Sequence, residues 1–212
     1  MTPTRLTVVY DALCGWCYGA YPLIAACAAY VEQQQAVGQN LSFELLHAGM
    51  FADDHATQIN RYNADQYWHY DQRIQSLSQQ PFSQTYYDQV LHGEDVWLNS
   101  AYSLLGAVIA DAVSPAMHLV YLQQIQQMRY VDGLDTAKAS VVLAALSSLS
   151  IPAELADFRQ PALIRVAQHW QSQAQDRLND VKSQAVPTFI LKQGDQAQHL
   201  LHHADYGQPA QF

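Results

Sequence analysis

The stretch Leu13-Cys14-Gly15-Trp16-Cys17-Tyr18 constrains this chain more than any other. It follows a short β-branched run, Leu6-Thr7-Val8-Val9-Tyr10, and opens a segment of helical character from about Cys14 to Gln35. The order is strand, turn, Cys-x-x-Cys, helix. A cysteine at a helix start meets free backbone N–H groups and the positive end of the aligned peptide dipoles, both of which favour an anion. A thiolate is such an anion, so the spacing predicts a Cys14 thiol that ionises more readily than an isolated one. Cys17 falls about one turn along the same face, within reach of a mixed disulfide formed at Cys14.

Two other readings compete. A Cys-x-x-Cys is half of a structural zinc site, which needs four ligands. The only other cysteine is Cys27, in the same helical segment, and the nine histidines lie far off in sequence, His202-His203 being the closest pair; the sequence therefore predicts no metal. Two buried core cysteines are the second alternative. The strand-turn-helix setting argues against that coincidence for Cys14 and Cys17. Cys27 lies in the apolar run Leu23-Ile24-Ala25-Ala26-Cys27-Ala28-Ala29 and reads as a small core hydrophobe.

The 212 residues allow one large domain or one domain with an insertion, and with 50% hydrophobic residues a well-buried core is expected. A formal charge of −9 argues against nucleic acid and anionic membrane as partners. No apolar stretch is long enough to span a bilayer, and no signal-peptide pattern precedes the first strand, so a cytoplasmic location is expected.

Residues 5–10 read as a first strand and residues 41–48 as a second, parallel to it through the intervening helix. Pro22 is expected to kink that helix, and its near-uniform apolar character predicts burial on more than one side. From 53 to 182 no strand is convincing. Helices are expected near 62–78, 84–91, 99–112, 115–129, 135–148 and 160–182, with Asn99-Ser100, Ser114-Pro115 and Asp135 or Thr136 as starts and Gly133 as a stop. So long a segment is an inserted helical subdomain, not a loop. Tyr62, Tyr67, Trp68, Tyr70, Tyr86, Tyr87 and Trp97 line a groove or pack between helices, packing being the simpler reading, and His55, His69, His92, His118 and His169 are read as surface or core residues. Strand character returns at 185–191 and 197–201, joined by a turn, and the tail 205–212 leaves room for one helical turn.

Cys14-x-x-Cys17 after a first strand, Pro22 in the next helix and Val186-Pro187-Thr188 opening a late strand together resemble the thioredoxin superfamily. The helical insertion, the stretch Asp11-Ala12-Leu13-Cys14-Gly15-Trp16-Cys17-Tyr18-Gly19 and Tyr130-Val131-Asp132-Gly133-Leu134-Asp135 are similar to its DsbA-like branch, which includes FrnE-type and cytosolic protein-disulfide isomerase members. The resemblance implies an α/β thioredoxin-like domain from residues 1–52 and 183–212, with residues 53–182 as the inserted all-helical subdomain. It implies disulfide exchange with Cys14 as attacking thiol and Cys17 as resolving thiol. Trp16, Val186 and Pro187 would meet the substrate, Pro187 carrying a cis peptide bond that presents the Val186 backbone to an extended segment. No cofactor beyond the dithiol is implied; the partners are polypeptide thiols and disulfides or glutathione. Asp11 is either a helix cap or a proton relay to Cys17. The Gly15-Trp16 dipeptide replaces the Pro-His of strongly oxidising DsbA proteins, which removes a cationic imidazole and predicts a less oxidising couple. Other members of the fold act as glutathione-dependent transferases or 2-hydroxychromene-2-carboxylate isomerases. In these a serine commonly stands where Cys14 does here, and retention of both cysteines points away from that class.

Overall fold

The computed structural model describes residues 3–200. Thr4–Tyr10 is strand β1, followed by helix α1 (Gly15–Gly19), helix α2 (Tyr21–Ala36) and strand β2 (Leu41–His47). Strand β2 runs parallel to β1, with Val8 opposite Leu45. Strand β5 (Thr188–Gln193) lies antiparallel on the other side of β1, and β6 (Gln196–His199) pairs antiparallel with β5. The sheet order is β2-β1-β5-β6. Consecutive Val8 and Val9 are both fully buried, so β1 is covered on both faces, which explains a run apolar without alternation. The tail at 205–212 lies outside the described residues.

Where a single kinked helix is expected after Cys14, two helices form. Ala20 ends α1 by donating its N–H to the Trp16 carbonyl, and its own carbonyl accepts from Leu23 and Ile24 to start α2. Pro22 thus sits in the first turn of a new helix, where its missing N–H removes no hydrogen bond. Burial on several sides does not occur either. Only Ile24, Cys27 and Val31 of α2 are buried, one stripe at helical spacing, while Ala26 and Ala29 face solvent.

Between β2 and β5 the chain is helical: α3 (Arg61–Ser78), the short α4 (Gln84–Tyr86) running into one π-turn (Tyr87–Leu91), α5 (Ala101–Val113), α6 (Pro115–Tyr130), α7 (Ala139–Ser148) and α8 (Pro161–Asp180). Contrary to the strandless expectation, Thr57–Gln58 (β3) and Trp97–Leu98 (β4) form a two-residue antiparallel ladder. Helix α7 starts at Ala139 because Asp135 folds a turn instead: its carboxylate accepts from Ala137 N–H and its carbonyl from Lys138 N–H. Helices α2, α6 and α8 pack on β2, and one continuous apolar core runs through the sheet and the helical segment. Helix α1 approaches α3 closely because Gly15 and Gly19 carry no Cβ; one at either position would collide with Asp71 or Ile74.

Candidate active site

Cys14 is the residue that caps the start of α1, in extended conformation, with its carbonyl accepting from Cys17 and Tyr18 N–H. The aligned dipoles behind it are those of a five-residue helix, not of the long helix the sequence suggests. Cys14 is partly exposed and Cys17 fully buried, both are free thiols, and they stand 3.7 Å apart. Burial pushes the Cys17 thiol well up. A hydrogen bond to Cys14 and the charge of Cys14 push in the same direction, opposed by the Asp11 N–H that points at Cys17 Sγ from 3.4 Å. The buried sulfur thus keeps its proton while the outer one meets solvent.

Across from the dithiol, the Val186–Pro187 peptide bond is cis, and Cys14 Sγ points at the Val186 carbonyl from 3.6 Å. The loop is tied from behind: Thr188 Oγ1 donates to the Ala185 carbonyl at 2.6 Å and lies 3.0 Å from Ser183 Oγ. Four residues of the sequence-derived site, Cys14, Cys17, Val186 and Pro187, therefore meet in space although 172 positions separate Cys14 from Val186. Trp16, between the cysteines, is half-buried and packs against the core.

Asp11 is not a helix cap. Its side chain turns inward, and the cap position of α1 has no side-chain hydrogen bond. Oδ1 accepts from Leu13 N–H at 2.9 Å, and Oδ2 accepts from Ser100 Oγ at 2.8 Å and Phe51 N–H at 3.4 Å. Ser100 is thereby diverted from capping α5; Asn99 Oδ1 takes the Ala101 N–H in its place. His47 Nδ1 stands 3.9 Å from Asp11 Oδ2 and 3.0 Å from Gly49 N, while Nε2 lies 3.4 Å from both Ala12 N and Ser103 Oγ. Ser103 in turn donates to the Ser100 carbonyl. Burial lowers the His47 pKa to about 4 despite the Asp11 carboxylate, so the imidazole is neutral near pH 7. Asp11, His47, Ser100 and Ser103 thus form a closed polar network in the core beneath Cys17. Sequence reading missed the last three, which come from β2 and α5 and show no spacing that links them.

Further into the core, Tyr10 hydroxyl is 2.7 Å from His118 Nε2, and His118 Nδ1 is 3.3 Å from Asp111. Burial lowers the His118 pKa, opposed by the hydrogen bond and charge of Asp111. Of the aromatic residues singled out in sequence, Tyr86 is buried and packs near Trp68, while Tyr62, Tyr70 and Trp97 are exposed. The stack that backs α1 is a different set: Tyr18 lies on Tyr130 at 4.6 Å, with Phe82 edge-on to both. Among the described residues no group of three or more His, Cys, Asp or Glu is arranged to hold a metal, and no helix is long and apolar enough to cross a membrane.

An α/β sheet of this order, a paired dithiol at a helix start and a cis-proline loop facing it define a thiol–disulfide oxidoreductase of the DsbA-like branch of the thioredoxin superfamily. Comparison with solved structures agrees. The chain is similar to the cytosolic disulfide reductase DsbM from Pseudomonas aeruginosa, at 28% identity and a TM-score of 0.79, covering 97% of this chain and 93% of that one. It is similar to the same reductase with GSH, at 27% identity and a TM-score of 0.78, over 97% and 93% of the two chains. A candidate protein disulfide isomerase from Nitrosomonas europaea matches at 17% identity and a TM-score of 0.71, over 94% of this chain and 89% of that one, and shows the shared fold. No family model matches the sequence, and no curated protein matches it.

Proposed function

We propose that the protein reduces disulfides in the cytoplasm through Cys14 and Cys17, with glutathione as the electron source. The observation that carries this reading is the pairing of a partly exposed sulfur at Cys14 with a buried, protonated one 3.7 Å away. The Cys14 thiolate attacks one sulfur of a substrate disulfide; the Cys14–substrate bond forms, the substrate S–S bond breaks, and the leaving thiolate takes a proton. Cys17, deprotonated, then attacks Cys14 sulfur, releases the second substrate thiolate and leaves a Cys14–Cys17 disulfide. Two electrons have passed to the substrate. One glutathione thiolate opens the Cys14–Cys17 bond to a mixed disulfide, and a second displaces it as oxidised glutathione. We assign the proton leaving Cys17 to the Asp11 network; the charge Asp11 exerts on that sulfur supports the assignment. Once Cys14 is bonded to substrate, the Val186 carbonyl is released from the thiol and accepts a hydrogen bond from an extended substrate backbone, with Pro187 and Trp16 flanking it. The likeness to a reductase solved with GSH supports both the direction and the donor.

Glutathione-dependent reduction of insulin is the direct test. Cys14→Ser is expected to abolish it, and Cys17→Ser is expected to accumulate mixed disulfides at Cys14, detected by mass. Undiminished turnover by Cys14→Ser removes the reading.

A further inference from the structure

Asp71 is a carboxyl on the buried stripe of α3, only 5% exposed, where a charge is expensive unless something compensates it. One oxygen accepts a hydrogen bond from Tyr86 hydroxyl at 3.0 Å. The other is pressed against Gly15, the residue directly after Cys14, leaving no room there for a Cβ. The compensating charge is Arg129 on α6, 1% exposed. Its guanidinium lies 5.8 Å from the ring centres of both Tyr86 and Tyr130, and Nη1 is 3.4 Å from Thr136 Oγ1. Among the described residues no carboxylate comes within ion-pair distance of Arg129, and its Nε has no hydrogen-bond partner. Its positive field is therefore spread over the aromatic cluster and not quenched at one contact. That cluster reaches the dithiol: the charge of Cys14 acts on the Tyr130 hydroxyl.

We infer that Asp71 and Arg129 are positioning residues for the redox couple: the Asp71 carboxyl against Gly15 sets how much of the Arg129 field is left to stabilise a Cys14 thiolate. Arg129 thereby supplies, from behind, the cation that the Gly15-Trp16 dipeptide does not provide between the cysteines. The inference rests on the exchange chemistry proposed for Cys14 and Cys17. The charged and titratable groups that act on Asp71 or that it acts on are Tyr86 on α4 and Arg129 and Tyr130 on α6, with Tyr67 of α3 in the same cluster through Tyr86 and Arg129; from α1 it meets Gly15, next to Cys14. On the neighbouring π-turn Asp88 is exposed and held by Gln84, and beyond it His92 pairs with Asp65 at the surface. Burial lifts the Asp71 pKa to about 7, against the hydrogen bond from Tyr86 and the charge of Arg129. When it ionises, a negative charge appears beside Gly15 and offsets Arg129, and the thiolate is disfavoured.

The experiment follows iodoacetamide alkylation of the reduced protein from pH 5 to 9, reading the Cys14 peptide by mass spectrometry, together with the equilibrium constant against glutathione. The wild type is expected to show an inflection near pH 7 besides that of the thiol. In Asp71→Asn the inflection should vanish, Cys14 should react several-fold faster at pH 7.5, and the equilibrium should shift about tenfold toward the dithiol, or about 30 mV. Arg129→Met should change reactivity in the opposite direction. Tyr86→Phe keeps the carboxyl but loses its hydrogen bond, and should move the inflection to higher pH; it decides the matter if Asp71→Asn does not fold. A folded Asp71→Asn protein with the wild-type profile and equilibrium, or an unmoved inflection in Tyr86→Phe, overturns the inference. Alkylation needs no disulfide substrate, so this outcome is independent of whether insulin is reduced.

Discussion

Gly15 illustrates how a single residue between two cysteines serves packing as much as chemistry. Its missing side chain lets α1 lie against Asp71 and Ile74. Gly15→Ala should therefore destabilise the protein by about 1–3 kcal/mol, because the atoms it meets belong to a packed helix face. A urea titration that finds the midpoint unchanged would show that α1 can lift off α3 freely. His47 is the residue-scale counterpart on the other side of the dithiol. It is buried and neutral, with one ring nitrogen facing Gly49 N–H and the other between Ala12 N–H and the Ser103 hydroxyl. Nothing about its place at the end of β2 announces that role. A histidine closing an apolar strand reads as core, and only the fold brings Ser100 and Ser103 beneath it.

At the scale of elements, the boundary between α1 and α2 separates two interpretations of Pro22. A proline inside a helix disrupts it by about 3 kcal/mol, whereas one in the first turn does not. Pro22→Ala is therefore expected to shift stability by less than about 1 kcal/mol in either direction and to leave the dithiol equilibrium with glutathione unchanged; a gain of several kcal/mol would mean that the helix is strained at that point. Sequence alone could not distinguish the two cases, because the break is made by the backbone of Ala20, an alanine with no special propensity. Other elements were legible. β1 and β5 are β-branched runs bounded by turn residues, and α6 opens on Ser114 with Pro115 behind it, the serine hydroxyl accepting from Met117 N–H as the sequence suggests. The cysteines were legible from their spacing after a strand, Val186 and Pro187 by resemblance. Two-residue β3 and β4 carry no periodicity to detect. Asp71, Tyr86 and Arg129 come from three helices, and a lone charge amid an amphipathic helix looks like surface until packing buries it.

For the molecule as a whole, the two kinds of buried titratable group pull stability in opposite directions with pH. His47, its pKa lowered from 6.5 to about 4, stabilises the fold above its unfolded value, and that contribution fades as pH falls from about 6.5 to 4, by roughly 3 kcal/mol in all. His118, also lowered by burial, acts in the same sense. Asp71, its pKa raised from 3.8 to about 7, acts in reverse: its contribution is fully present below about pH 4 and is lost as pH rises to about 7. Between pH 4 and 6.5 the terms oppose, so the rise of wild-type unfolding free energy with pH should be shallower than the two histidines alone would give. Asp71→Asn should make that rise steeper and should exceed wild type at pH 8. His47→Gln should make it shallower than wild type. Urea unfolding at four pH values reads both slopes, and parallel curves for wild type and Asp71→Asn would contradict the assignment.

Cys27 sits in the buried stripe of α2, far from water, with burial raising its pKa to about 11. The chain therefore carries its own stopwatch. A thiol-reactive dye should mark Cys14 within the dead time of mixing and leave Cys27 silent until α2 opens. The slow label at Cys27, told apart from the equally buried Cys17 by peptide mass, then clocks how often α2 opens in the native fold.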